Sequence, residues 1–160
     1  MKLQRSTIFA LYAVLELARD PESQLATGEI AARYGISAHH LAKVMRQLVR
    51  AQLIQSARGA GGGYRLAVNP GRVTLMDVVE VFEERLTSAF DDEGTDAIGD
   101  IGLALQAVRD EIEDLTRATL ASITLATLVH SAGRLAAAPK AESEAEADDT
   151  PPTPELAPLT

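Results

Sequence analysis

The chain has 160 residues, of which 46% are hydrophobic and only 4% aromatic, with no Trp and no Cys. This composition suits aliphatic packing of helices, and the absence of cysteine excludes disulfides, cysteine-ligated zinc and thiol nucleophiles. No stretch approaches about 18 unbroken apolar residues, and charges interrupt the start of the chain where a signal peptide would have an apolar core. We therefore expect a cytoplasmic protein with no membrane span.

The net charge of −8 is unevenly distributed along the chain. Residues 1–73 hold ten Lys and Arg against four Asp and Glu, a balance of +6. The balance is −9 over residues 74–136 and −5 over residues 137–160. A basic N-terminal half joined to an acidic C-terminal half is expected when only one end of a chain meets phosphate.

The first predicted helix covers residues 4–19 and ends at Asp20 and Pro21. Its apolar residues recur at helical spacing, which predicts one buried face made of Ile8, Leu11, Tyr12, Leu15 and Ala18.

Two further predicted helices are separated only by Gly35-Ile36-Ser37. Thr27 is the predicted N-cap of the first, and Ser37 is the predicted N-cap of the second, which covers residues 38–51. These proportions are typical of a helix-turn-helix.

A β-hairpin is predicted next, with strands at residues 53–56 and 64–66 around a Gly-rich turn. Such a hairpin after a helix-turn-helix is a wing. After a break at Asn69-Pro70-Gly71, Thr74 and Asp77 form a variant capping box for another helix. Its predicted apolar face consists of Leu75, Val78, Val79 and Phe82.

A long helix is predicted from residue 98 onward, after an acidic loop at residues 85–97. Its apolar residues alternate at spacings of three and four, which is a heptad pattern: Ile98, Ile101, Leu105, Val108, Ile112 and Leu115. We call these six residues the seam and predict that a second subunit covers them as a dimer interface. The alternative is that the seam packs against the protein's own first helix.

The predicted fold class is therefore mainly α: a winged helix-turn-helix domain with a two-stranded wing and a long dimerisation helix. The DNA-binding domain covers residues 1–84, and residues 98–136 hold the dimerisation helix and a short closing helix near residues 124–135. Residues 137–160 are Ala, Pro and acidic residues with too little apolar surface to offset ordering entropy, which predicts a disordered tail.

The helix at residues 38–51 carries the clearest functional signal. Leu41, Val44, Met45 and Leu48 fall on one side, whereas the opposite side holds donors and cations with no acid among them: His39, His40, Lys43, Arg46, Gln47 and Arg50. A solvated helix usually mixes both signs of charge, whereas Lys, Arg, Gln and His suit phosphates and base edges in a major groove. This side predicts a partner of double-stranded DNA.

The glycine-rich turn of the wing is flanked by Arg58 and Arg65. A nucleotide-binding loop would require a following helix, but here a strand follows, so contact with a DNA backbone or minor groove is the better interpretation. The complete set of predicted DNA contacts is Thr27, Ser37, Ala38, His39, His40, Lys43, Arg46, Gln47, Arg50, Arg58, Gly59, Gly61, Gly62, Tyr64 and Arg65.

These motifs resemble those of the Rrf family of bacterial winged helix-turn-helix regulators. The resemblance rests on Ile36-Ser37, on His40-Leu41 and Lys43-Val44, and above all on the run from Arg58 to Ala67, RGAGGGYRLA. It covers about residues 1–130. It implies a homodimer held by the long helix that binds an imperfect inverted repeat and usually represses transcription.

The chain departs from that family in its candidate metal ligands. Cluster-binding members place three cysteines between the third helix and the long helix, where this chain has none, and one branch has an acidic ligand where this chain has Ile8. We therefore expect no cofactor and no metal site. The acidic run Asp91, Asp92, Glu93 and Asp96 matches no calcium-binding loop and is interpreted as solvated.

Other functions were weighed against a DNA-binding regulator. No nucleophile, base and orienting group come together in the sequence, so we do not predict an enzyme. A winged-helix protein-interaction adaptor that has lost DNA binding is the alternative. The effector stays open: a small molecule between the dimer helices, a partner protein, or none.

Overall fold

The computed structural model describes residues 3–57, 62–84, 86 and 99–137. In chain order it contains α1 (Arg5–Arg19), α2 (Thr27–Tyr34), α3 (Ala38–Arg50), β1 (Ile54–Ala57), β2 (Gly63–Leu66), α4 (Leu75–Val79), α5 (Asp100–Ser122) and α6 (Leu125–Ala137). The two strands pair antiparallel, with Ile54 opposite Leu66 and Ala57 opposite Gly63. The predicted mainly α, winged helix-turn-helix fold with a long helix is confirmed.

Helix α3 packs by one face onto the centre of the molecule. Leu41, Met45 and Leu48 are completely buried there, together with Val44. The turn between α2 and α3 is set by Gly35, whose φ of 62° is the left-handed conformation that ends many helices. Its backbone N–H donates to the Ala31 carbonyl, which closes α2 before α3 begins.

The buried face of α1 differs from the predicted one. Ile8 and Tyr12 are 37% and 40% exposed, and Leu11 and Leu15 are only partly buried. Of the predicted set only Ala18 is buried, and the core is formed instead by Ala10, Ala13, Val14 and Leu17. Because α1 is apolar over most of its surface, hydrophobic periodicity alone does not show which face is buried. The face that contains alanines is the buried one, since small side chains let neighbouring helices approach closely.

Two of the three predicted N-cap positions are confirmed. Thr74 accepts a hydrogen bond from the Asp77 backbone N–H at 3.3 Å. Ser37 occupies the N-cap position of α3, but its side chain makes no capping hydrogen bond. Thr27 is instead the first helical residue of α2, and the cap position falls on Ala26. The Ala26 backbone N–H donates to the Glu29 carboxylate at 2.6 Å. A side chain from the first turn of α2 thus supplies the hydrogen-bond acceptor for this backbone donor at the helix start.

The fourth helix is shorter than its apolar pattern indicates. It ends at Val79, and Phe82 lies beyond it in a turn, half-buried. A short antiparallel bridge between Thr74 and Thr124 then ties the start of α4 to the junction of α5 and α6.

Helix α5 leaves its seam uncovered. The five seam residues that the structure describes are between 44% and 78% exposed, and α6, unlike the seam, packs against α1. The alternative that the seam packs on the protein's own first helix is therefore wrong. Ile98, most of the acidic loop at 85–97 and residues 138–160 lie outside the described residues, and Leu86 within that loop is buried. None of the described helices is long and apolar enough to cross a bilayer.

A buried carboxylate joins α1 to α2. Glu16 is 4% exposed and accepts hydrogen bonds from the Arg33 guanidinium and the Tyr34 hydroxyl, with Arg19 3.4 Å away. The Tyr34 ring stacks on Tyr12, with centroids 4.3 Å apart. Burial and the bond to Glu16 raise the pKa of Tyr34 to about 12. These contacts fix α2 and the helix-turn-helix it begins against α1.

We expect Tyr34→Phe to lower the free energy of unfolding by about 1–2 kcal/mol, because the stack is kept while Glu16 loses a buried donor.

In the wild type, the proton on Tyr34 is held more tightly in the folded than in the unfolded state. Its contribution is therefore complete below pH 10 and lost as pH rises through about 12. Urea unfolding from pH 8 to 12 measures both effects, with Tyr12→Phe as the matched control. Equal pH profiles for wild type and Tyr34→Phe would contradict the assignment.

Candidate nucleic-acid interface

The outward face of α3 is uniformly polar and cationic. All six predicted contacts on it are exposed: His39, His40, Lys43, Arg46, Gln47 and Arg50. Helix α3 contains no acidic residue, so none of these cations is paired within the helix. With the opposite face buried, this is the only side of α3 that another molecule can reach.

The N-terminal end of α3 is also accessible. Ser37 and Ala38 are exposed there, and the rings of His39 and His40 lie 6.1 Å apart. This end carries small side chains and imidazoles, while Arg46 and Arg50 lie about two and three turns further along. The helix therefore presents short donors at its start and long cations toward its end.

The structure describes part of the predicted wing contacts. Arg65 and Gly62 are exposed, and Tyr64 is half-buried opposite Ser56. Arg58, Gly59 and Gly61 lie outside the described residues. Thr27, half-buried at the start of α2, lies two residues from the point where the wing meets the chain.

That junction is a feature the sequence analysis missed. The backbone of Leu25 forms a bridge to Tyr64, with N–H to oxygen distances of 2.9 and 3.0 Å. A Cβ built on Gly63 would lie 2.7 Å from the Leu25 carbonyl oxygen, so only glycine permits this approach. The bridge fixes the wing to the start of the helix-turn-helix, and only the glycine at the foot of the wing signals it in the sequence.

A second missed residue is Arg5, at the start of α1. Its guanidinium carbon lies 5.8 Å from the centre of the Phe9 ring, and it lines a groove shared with His40, Lys43 and Arg50. Because Arg5 is 38 residues before Lys43 in the chain, no local pattern links the two. Folding places them along one cationic surface.

Comparisons with known proteins agree with this architecture. The sequence matches the Rrf2 family, described as an iron-dependent transcriptional regulator, over residues 3–131. It is 47% identical to the HTH-type transcriptional regulator BadM of Rhodopseudomonas palustris over 132 residues, which cover 81% of each chain.

Solved structures show the same fold. The chain is similar to T. potens IscR with a TM-score of 0.70 and 26% identity, over 86% of this chain and 93% of that one. It is similar to CymR of B. subtilis, the global cysteine regulator, with a TM-score of 0.68 and 28% identity, over 82% and 98% of the two chains.

The family's description as iron-dependent raises the question of which residues of this chain could ligate iron. The sequence contains no cysteine, so no thiolate is available for an iron–sulfur cluster. Within residues 3–57, 62–84, 86 and 99–137, no three His, Asp or Glu side chains converge on one point. Ile8 presents a hydrocarbon side chain on α1 and cannot ligate a metal.

Gly63→Ala is expected to lower the free energy of unfolding by about 1–3 kcal/mol, because its methyl group would push against the Leu25 backbone. Gly28→Ala is the matched control. A Cβ there meets nothing within 4 Å, and alanine favours the helical conformation of α2. Thermal unfolding of both variants should therefore give shifts of opposite sign. A neutral Gly63→Ala would show that the wing does not depend on the bridge.

Proposed function

We propose that this chain, which belongs to the Rrf2 family of transcriptional regulators, is a repressor that binds an inverted-repeat operator as a homodimer. The family and the relatives are regulators of transcription and not enzymes, and membership of the family implies DNA binding. Repression, operator symmetry, dimerisation and the contact residues are parts of this proposal.

The observation that carries the proposal is the asymmetry of α3. One face is buried to less than a few per cent exposure, and the other presents exposed His39, Lys43, Arg46 and Arg50 with no acid. Unbalanced cations on one helix repel each other unless an anionic partner neutralises them. A helix of this diameter with cations on its free face fits the major groove of DNA.

Within this proposal, the N-terminal end of α3 contacts bases and its C-terminal end contacts phosphates. His39, His40 and Lys43 occupy the first turns, where a recognition helix meets base edges, and Arg46 and Arg50 reach phosphates. The wing carries Arg65 on its exposed face, and Arg58 directly follows β1 in the sequence; we propose that both contact flanking backbone or the adjacent minor groove.

The seam on α5 supports the proposal of a homodimer. Ile101, Leu105, Val108, Ile112 and Leu115 form an exposed apolar stripe, and a second copy of the same helix offers a complementary stripe. A two-fold axis between two such helices would place the two α3 helices against half-sites about one helical turn apart. This geometry is the reason for proposing an inverted repeat, and a dimer seated on a promoter would block transcription.

Single substitutions on α3 should separate base contacts from phosphate contacts. Lys43→Ala or His39→Ala should relax sequence preference at a loss of about 1–3 kcal/mol. Arg50→Ala should weaken binding to all duplexes and lower the salt slope by about one unit. Affinity for operator and random duplex measured against salt concentration tests both.

The matched control is Arg134→Ala, which removes an exposed cation from α6 and should leave binding unchanged. If a triple Lys43/Arg46/Arg50 alanine variant bound duplex like the wild type, α3 would not be the recognition helix. Folded protein with no affinity for any duplex would instead favour the adaptor.

A negative charge in the seam should separate the subunits. Leu105→Glu or Ile112→Glu would bury an unpaired carboxylate twice across a symmetric interface, at a cost of several kcal/mol. We expect monomers by sedimentation and a parallel loss of operator binding. Leu103→Glu is the matched control, because Leu103 is also exposed on α5 but lies nearly opposite the seam. A dimeric Leu105→Glu variant would place the interface elsewhere.

A further inference from the structure

A groove of about 660 Å³ lies between the start of α1, the outer side of α3 and the turn after α4. Four apolar residues line it, and we call them its floor: the buried Val44 and the half-buried Phe9, Val81 and Phe82. A volume of this size is typical of sites for small organic ligands.

The rim of this groove is cationic. Arg5 stands on the α1 side above Phe9, and Lys43, Arg46 and Arg50 stand on the α3 side. None of the residues that line the groove is acidic. A ligand lying on the floor would therefore have guanidinium and ammonium donors within reach at one edge. The Glu83 carboxylate, which lies beside the groove, is already bonded to Gln4 and Thr7.

The walls of the groove are held together by hydrogen bonds. The Gln4 backbone N–H donates to Glu83 Oε1 at 2.7 Å, and the Gln4 side chain donates to the Phe82 carbonyl at 3.3 Å. The Thr7 hydroxyl donates to the same Glu83 carboxylate. The turn that carries Val81 and Phe82 is thus fixed to the first turn of α1, so the groove exists before any ligand arrives.

The apolar floor and the cationic rim together favour one class of ligand. A DNA backbone is recognised mainly through its phosphate charges. The two aromatic rings and two valines of the floor would make no favourable contact with phosphates. An organic anion with a hydrocarbon chain or ring uses both, because its body is buried on the floor and its charged end pairs with the rim. We propose that this groove binds a small amphipathic anion, a carboxylate or phosphate with an apolar body.

Such a ligand would act directly on the activity proposed above, and this part of the inference rests on that proposed function. Its charged end would occupy Lys43, Arg46 and Arg50, which are the cations assigned to DNA. Ligand and duplex would therefore compete, and by linkage each would weaken binding of the other by the same factor. No movement of the dimer is required.

The probe we choose is octanoate, with acetate and 1-octanol as matched controls. Titration of the full-length wild-type protein, followed by calorimetry and by chemical shifts of amides around Phe9 and Phe82, should show saturable octanoate binding. Acetate at equal concentration, which lacks the apolar body, should not bind. The neutral 1-octanol should bind more weakly by about tenfold, because charge-assisted hydrogen bonds are lost. Octanoate, and not acetate, should displace a labelled duplex.

Two variants locate the site without touching its cations. Ser6→Phe places a ring in the groove, since Ser6 lines it, and should abolish octanoate binding while duplex binding stays as in the wild type. Phe82→Ala removes part of the floor and should weaken octanoate by about tenfold. Ser23→Phe, at the turn after α1, makes the same change away from the groove and should alter neither.

Each outcome bears on one claim. No octanoate binding to the wild type, or equal binding of acetate, would overturn the inference. Wild-type octanoate affinity in both Ser6→Phe and Phe82→Ala would overturn it too, because the ligand would then lie elsewhere, for example on the seam. Octanoate binding in a protein that binds no duplex would leave the groove assigned and refute the proposed function instead. Duplex binding that octanoate leaves unchanged despite saturating the groove would refute the competition.

Discussion

The packing of α3 against α1 is the contact on which the rest of the structure depends. Leu41, Met45 and Leu48 have no exposed surface, and the small residues Ala10 and Ala13 on α1 let the two helices approach closely. An amphipathic helix that buries its apolar face exposes its polar face. The packing of α3 on the core therefore also sets the direction in which its cationic residues point.

Helix α1 acts as the common support of the domain. The Glu16 carboxylate of α1 bonds to α2, and Gln4 and Thr7 bond to the turn after α4. Helices α3 and α6 also pack on α1. Removal of a partner from a buried carboxylate is costly, which makes the α1–α2 joint specific as well as stable. The positions of both the groove and α3 therefore depend on α1.

Helix α5 contacts the rest of the domain near its C-terminal end, where Leu120 packs on the core and Arg117 pairs with Glu80. It has no buried residue along its 23 residues, while its stripe of Ile and Leu side chains remains exposed. Exposed apolar surface of that length is unusual for a protein that acts alone. These side chains are therefore available for contact with another molecule, which is the basis of the dimer proposed above.

The sequence by itself determined the order of the elements, the helix-turn-helix and the two faces of α3, because these depend on local periodicity and on turn residues such as Gly35. It also determined that no thiolate ligates a cluster, since that requires only the absence of cysteine. Which side of α1 is buried was decided by tertiary structure, because Ile8, Tyr12 and the alanines are all compatible with a core. The Leu25 bridge to the wing and the meeting of Arg5 with Lys43 were also decided there, since both join residues 38 or more positions apart and local patterns carry no information at that range.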